Sequence, residues 1–142
     1  MLDRHLNWKA HQDMITKKLS KTVGIMHRLK NMLPLCALLH IYNSLVLSHL
    51  NYGALLWGWQ CQNIFILQKK AVRALTNSKY NCHTSGLFKK LNLLKFHDIC
   101  ALCDLKFCHK RFNNALPQYF LDLLLLFRDD PHYYETRIAG QL

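Results

Sequence analysis

The sequence predicts an all-α fold, and three observations support it. Apolar residues recur every three or four positions over long stretches, which is the period of an amphipathic helix. Apolar and polar residues do not alternate over a stretch long enough to form a half-buried β-strand. The 142 residues include 5 Gly and 3 Pro, too few for a loop-rich sandwich. We expect an irregular bundle of about five or six helices, with one helical domain at 1–127 and a frayed end at 128–142.

The first predicted helix begins near Trp8 and ends before Pro34. Its apolar face is formed by residues three or four apart: Trp8, His11, Ile15, Leu19, Thr22, Met26, Leu29 and Leu33. Lysines and an arginine occupy the opposite face. Proline cannot continue a helix but suits the first position of the next one, so Pro34 should separate the first two helices.

The second and third predicted helices flank a break in the chain. Residues 35–49 are apolar on almost every side, so we expect this helix to be central. Residues 51–53 break it, and a short helix should end at Trp57, which we expect to be buried. The third helix should cover 63–75, with its apolar side chains in the core: Ile64, Leu67, Ala71, Val72 and Leu75.

The last part of the chain predicts three more helices after a polar loop. The loop covers 76–83, and Thr84 or Ser85 can begin a short helix that ends near Leu91. A long helix should run from about 96 to 113. Pro117 should then start a final helix, 118–127.

The charge of the chain points to a polyanionic partner. The sequence has nineteen basic and eight acidic residues, which gives a net charge of +11. Nucleic acid is the first candidate, because clustered lysines and arginines neutralise phosphates. Two basic sets on predicted helices are the candidate nucleic-acid-binding residues: Lys17, Lys21 and Arg28 on the first, and Lys69, Lys70 and Arg73 on the third.

An anionic membrane surface is the second candidate partner. The apolar run Leu35–Trp57 is long enough to span a bilayer, but its histidines, asparagines and serines would be costly in hydrocarbon. The first residues lack the apolar core of a secretory signal. We therefore expect an intracellular protein, cytoplasmic or nuclear, with free thiols.

Two patterns suggest metal chemistry, and a simpler interpretation is available for each. Phe127 precedes Arg128, Asp129 and Asp130, as an aromatic residue precedes the aspartates of a reverse transcriptase, but a polar turn explains the pair better. Cys100 and its neighbours could suggest zinc, yet their apolar surroundings favour buried helix cysteines. We predict no catalytic residue, no metal and no cofactor.

Motifs over most of the chain follow an order typical of one protein family. Near the start, Asn7-Trp8-Lys9 precedes His11, and SK, GI and RLK follow within 20–30. YNSL, HLNYG, WG and LQKKAVR occur between 42 and 73, and Y..HT..LF with F.N.LP..F occur within 80–120. This order resembles the segment after the reverse-transcriptase palm in jockey-like non-LTR retrotransposons.

The resemblance implies a helical, thumb-like segment that helps to hold an RNA/DNA template–primer. The catalytic palm belongs elsewhere in that family, so the chain would be a truncated fragment and not an enzyme by itself. The connection 59–63 is shorter than is usual in the family, which suggests a decayed copy. Two alternatives stay open: a stand-alone basic nucleic-acid-binding module, and a membrane-associated helical protein.

Overall fold

The computed structural model describes residues 8–120 and 122, without the side chains of Gln60 and Gln62. These residues form seven α-helices and no strand, which confirms the all-α class, although the helices outnumber the five or six expected. The helices are α1 (Lys9–Leu29), α2 (Leu35–Ile41), α3 (Ser48–Asn51), α4 (Ala54–Trp57), α5 (Gln62–Leu75), α6 (Ser85–Lys90) and α7 (Phe96–Phe112). A π-helical segment, Tyr42–Leu47, joins α2 to α3, and a 3₁₀ turn, Gly58–Gln60, follows α4.

The first helix has the buried face that the sequence predicts. Six side chains of α1 are buried against the rest of the fold: His11, Ile15, Leu19, Thr22, Val23 and Met26. Helix α1 ends at Leu29, and the chain turns before Pro34. The proline lies at the cap of α2 in an extended conformation, one position before the helix begins.

The helical stretch from Leu35 to Asn51 buries one face only, so the expectation that this helix is central is wrong. Leu38, Tyr42, Val46 and Leu50 are at most 2% exposed, whereas Leu35 and Leu45 are 45% exposed. Steps of four residues drift by about 40° each in an α-helix. A π-helical segment winds more loosely and opposes this drift, which keeps the four buried residues on one line.

No helix within the described part of the chain is long and apolar enough to cross a membrane.

The break after α3 and the short helix α4 confirm the prediction for this region. Gly53 has φ of 65°, a left-handed conformation that glycine adopts without strain. Trp57 is buried, and its Nε1 donates a hydrogen bond to the carbonyl oxygen of Tyr52 at 2.9 Å. Its indole packs between the rings of His11 and Phe96, with centroids 5.6 and 5.9 Å away.

Helix α5 packs along α1 and also contacts α2 and α6. Its predicted apolar face is buried, although Leu67 is only partly so. The face also contains Gln68, which is fully buried and was missed because its side chain is polar. The sequence predictions for α6 and α7 are confirmed to within one or two residues.

By its internal contacts the chain divides into two units, Met1–Asp104 and Leu105–Leu142. The core and all six candidate binding residues belong to the first unit. Residues 118–120 are helical, as predicted. The end of that helix, the predicted domain boundary at 127 and the pair Asp129 and Asp130 lie outside the described residues.

Candidate nucleic-acid interface

The structure divides the six candidate binding residues between two surfaces. Lys17, Lys21 and Arg28 are exposed on α1 and lie within about 40° of one another around the helix axis. They point away from the buried face of α1, so they do not meet the basic residues of α5 at one site. Lys21 and Arg28 line a shallow groove with Ser20, Gly24 and Ile25. We call these three basic residues the outer face of α1.

The three basic residues of α5 are half-buried, and they do not act alike. They lie on the side of the helix opposite its core face, as the sequence predicts. Lys69 places its Nζ 4.2 Å from the centre of the Phe65 ring, a cation–π contact within the helix. Lys70 and Arg73 instead face a cleft beside the end of α1.

This cleft brings together basic residues from separate parts of the sequence. Its volume is about 370 Å³. The lining residues come from the end of α1, from α5 and from the loop after α5: His27, Lys30, Lys70, Arg73, Ser78, Lys79 and Tyr80. Among these lining residues, all from the described part of the chain, four are cationic and none is acidic. We call this site the basic cleft.

Local hydrogen bonds hold the loop that forms one wall of the basic cleft. The backbone N–H of Ser78 donates to the carbonyl oxygen of Arg73 at 3.0 Å, and Nε of Arg73 donates to the carbonyl oxygen of Cys82 at 3.1 Å. Asn77 has φ of 50°, and its Nδ2 donates to Oδ1 of Asn31 at 3.2 Å. The loop is therefore tied both to α5 and to the turn after α1.

The electrostatics of the cleft are visible at His27. Burial lowers the pKa of this imidazole, and the positive charges of Lys30 and Lys70 lower it further. The protonated, positively charged form of His27 is therefore disfavoured beside these two lysines. An anion placed among these side chains would have the opposite effect on the same pKa.

Sequence reasoning missed Lys79 and Tyr80 as parts of the site. Both lie in the polar loop 76–83, for which the sequence pattern predicts no binding role. Their position depends on the path of that loop, which turns back toward α1 through the contacts of Arg73 and Asn77. Two signals were available in the sequence: a basic residue next to an aromatic one shortly after a basic helix, and the place of Tyr80 in the motif Y..HT..LF.

The cysteines do not form a metal site within the described residues. No group of three or more His, Cys, Asp or Glu side chains is placed there to hold an ion. Burial raises the pKa of Cys100 to about 11, and the nearby Cys103 and Asp104 add to this effect. The thiol of Cys100 is therefore protonated at neutral pH and packs as an apolar group.

Comparisons of the chain with models of protein families, with curated proteins and with solved structures find no match. The resemblance carried by the sequence motifs therefore stays a prediction.

Proposed function

We propose that this chain is a helical module that grips the phosphate backbone of nucleic acid through the basic cleft. The observation that carries the proposal is a set of four cationic side chains around one cleft, with no acidic residue among the lining residues that the structure describes. Three of the four, Lys30, Lys70 and Lys79, are lysines, which act as point charges and suit backbone contact better than base reading.

Repulsion within the cleft gives the proposal its physical reason. Like charges held close together oppose folding unless an anion lies among them or water screens them. Nucleic acid has closely spaced phosphates whose condensed counterions are released when basic side chains replace them. The cleft would thus bind a phosphate group at the point where α1, α5 and the loop converge.

The outer face of α1 provides a second place for backbone contact. Its three cations are exposed, so they can approach phosphates without changing the packing of the core. Arg28 of this face lies between the cleft residues His27 and Lys30 in the sequence, so one strand of nucleic acid could contact both surfaces. We assign the cleft the primary role, because it encloses the anion from more than one side.

Part of the positive charge in the basic cleft has an explanation that does not involve binding. Lys30 follows the end of α1, and Arg73 lies in the last turn of α5, where cations compensate the negative end of a helix dipole. Lys79 lies in the loop and belongs to neither helix end. Helix-end compensation also predicts no affinity for a polyanion, so binding measurements separate the two explanations.

This proposal agrees with the role implied by the resemblance to the retrotransposon reverse transcriptases. In that family the segment after the palm would help to hold the template–primer while the palm does the chemistry. We propose that this chain likewise binds without catalysing. An incorporation assay with the purified chain, a primed template and Mg²⁺ should detect no nucleotide addition, and addition above background would contradict this part.

The proposal is tested by equilibrium binding of the full chain to short duplexes of unrelated sequence, at one salt concentration. Backbone contact predicts dissociation constants that agree within a few-fold across sequences, because phosphates are the same in each. A strong preference for one sequence would show that base edges are read and would overturn the backbone model. No binding to any duplex or single strand would overturn nucleic-acid binding itself.

A further inference from the structure

We propose that the basic cleft receives an unpaired nucleotide, with its phosphate among the cations and its base stacked on Tyr80. This inference rests on the proposed function and names the form of nucleic acid that the same site prefers. It follows from the position and exposure of one aromatic ring at the rim of the cleft.

Tyr80 is 76% exposed although it lines the cleft. Its ring therefore offers a large apolar surface to a partner. The guanidinium of Arg73 lies 5.9 Å from the ring centre, on one side of it. That contact orients the ring and leaves most of its surface open to a planar partner.

The loop presents this ring in a defined place. The backbone N–H of Cys82 donates to the carbonyl oxygen of Lys79 at 3.0 Å, which closes a turn with Tyr80 inside it. The hydroxyl groups of Thr76 and Ser78 are hydrogen-bonded to each other at 2.7 Å. Because the turn is held from both sides, Tyr80 can stack with little further ordering of the backbone.

An aromatic ring beside a basic cleft favours unpaired bases over a duplex. Within a duplex each base is already stacked on its neighbours, so its faces are not available to a side chain. In a single strand or an overhanging end, a base can stack on an aromatic side chain while its phosphate contacts the cations. The cleft and Tyr80 together match one nucleotide in this arrangement.

The test compares three ligands of equal length: a single-stranded oligonucleotide, the same strand without bases, and a duplex. The full chain is compared with Tyr80→Ala, with Tyr80→Trp and with the control Tyr52→Ala. Tyr52 is similarly exposed, at 72%, but it lies beside His11 near the other end of α1. His11 and the cleft residue His27 are sixteen positions apart along α1, which is about 24 Å.

Stacking predicts that Tyr80→Ala weakens binding of the single strand by roughly 5- to 150-fold. Tyr80→Trp and Tyr52→Ala should bind the single strand as tightly as the unchanged chain does. The strand without bases should bind equally well to Tyr80→Ala and to the unchanged chain. Equal binding of the single strand by Tyr80→Ala and the unchanged chain overturns the stacking role but leaves backbone binding in place. Absence of binding to all three ligands overturns both proposals.

Discussion

Gln68 donates a hydrogen bond from Nε2 to the hydroxyl oxygen of Tyr42 at 3.0 Å, inside the core. The same amide group donates to the carbonyl oxygen of Leu94 at 2.9 Å, and its Oε1 accepts the backbone N–H of Phe96 at 2.8 Å. Gln68 thereby joins the π-helical segment, α5 and the start of α7. This network fixes the position of α5, the helix that contributes Lys70 and Arg73 to the basic cleft.

We predict that Gln68→Leu destabilises the fold by roughly 2–5 kcal/mol, because it leaves buried polar groups of three residues without their partner. Tyr42→Phe is the matched control, since it removes one hydroxyl and one hydrogen bond and should cost about 0.5–1.5 kcal/mol. Urea denaturation of both variants provides the comparison. A Gln68→Leu variant as stable as Tyr42→Phe would mean that the amide does not hold the three elements together.

We predict that Gly58→Ala destabilises the fold through a clash with Cys100. A Cβ at position 58 would overlap Sγ of Cys100, which is buried, so relief of the overlap would disturb the packing around it. Overpacking of this kind costs about 1–3 kcal/mol. Cys100→Ala removes the sulfur, so the double variant should be more stable than the sum of the single losses predicts. Strictly additive losses in thermal or urea unfolding would argue against the contact.

We predict that protonation of His11 destabilises the folded state at mildly acidic pH. Burial lowers its pKa below the ordinary 6.5, with smaller contributions from the positive N-terminus and Lys18. The unfolded chain therefore takes up this proton at a higher pH than the folded chain does. Stability due to neutral His11 is complete above pH 6.5 and falls as the pH decreases below it.

The measurement for His11 is the free energy of unfolding from about pH 7.5 to 5.5. His11→Gln has no titrating group at this position, so it should lose less stability over the range than the unchanged chain. The difference between the two curves isolates His11 from the other histidines. Parallel curves would mean that His11 has the same pKa in the folded and unfolded states.

We predict that bound nucleic acid raises the pKa of His27. Phosphate in the cleft would favour the protonated imidazole, whereas Lys30 and Lys70 oppose it in the free chain. An NMR titration of the imidazole protons, assigned with a His27→Gln variant, measures both values. An unchanged pKa of His27 in a saturated complex would place the bound phosphates elsewhere on the chain.

Periodicity predicts the helices well because their buried faces repeat every three or four residues, as in α1 from His11 to Met26. It fails for the stretch 35–51, where leucines such as Leu35 and Leu45 are exposed although the composition suggests a central helix. Gln68 was missed because its burial depends on partners 26 and 28 residues away. The sequence predicts Lys70 and Arg73 of the cleft as binding residues, because both lie on the basic face of one helix. It does not predict Lys79 and Tyr80, because their position depends on the fold of a loop.

Removal of charge from the cleft tests whether the basic cleft binds a phosphate backbone. The cleft variant is Lys30→Gln, Lys70→Gln and Lys79→Gln, and it keeps Arg73 because Arg73 holds the loop. The matched control is Lys89→Gln, Lys90→Gln and Lys95→Gln, which removes the same charge. Lys89 and Lys95 line a different groove, one that includes Asp98.

The most direct measurement is the slope of the logarithm of the binding constant against the logarithm of salt concentration, for the unchanged chain and both variants. Each lost phosphate contact lowers the slope by roughly 0.7 to 0.9. The cleft variant loses three lysines, so its slope should be smaller in magnitude by roughly 2 to 3, while its circular dichroism spectrum stays that of the unchanged chain. The control should keep the slope of the unchanged chain. Equal slopes for the folded cleft variant and the unchanged chain would contradict backbone binding at this cleft.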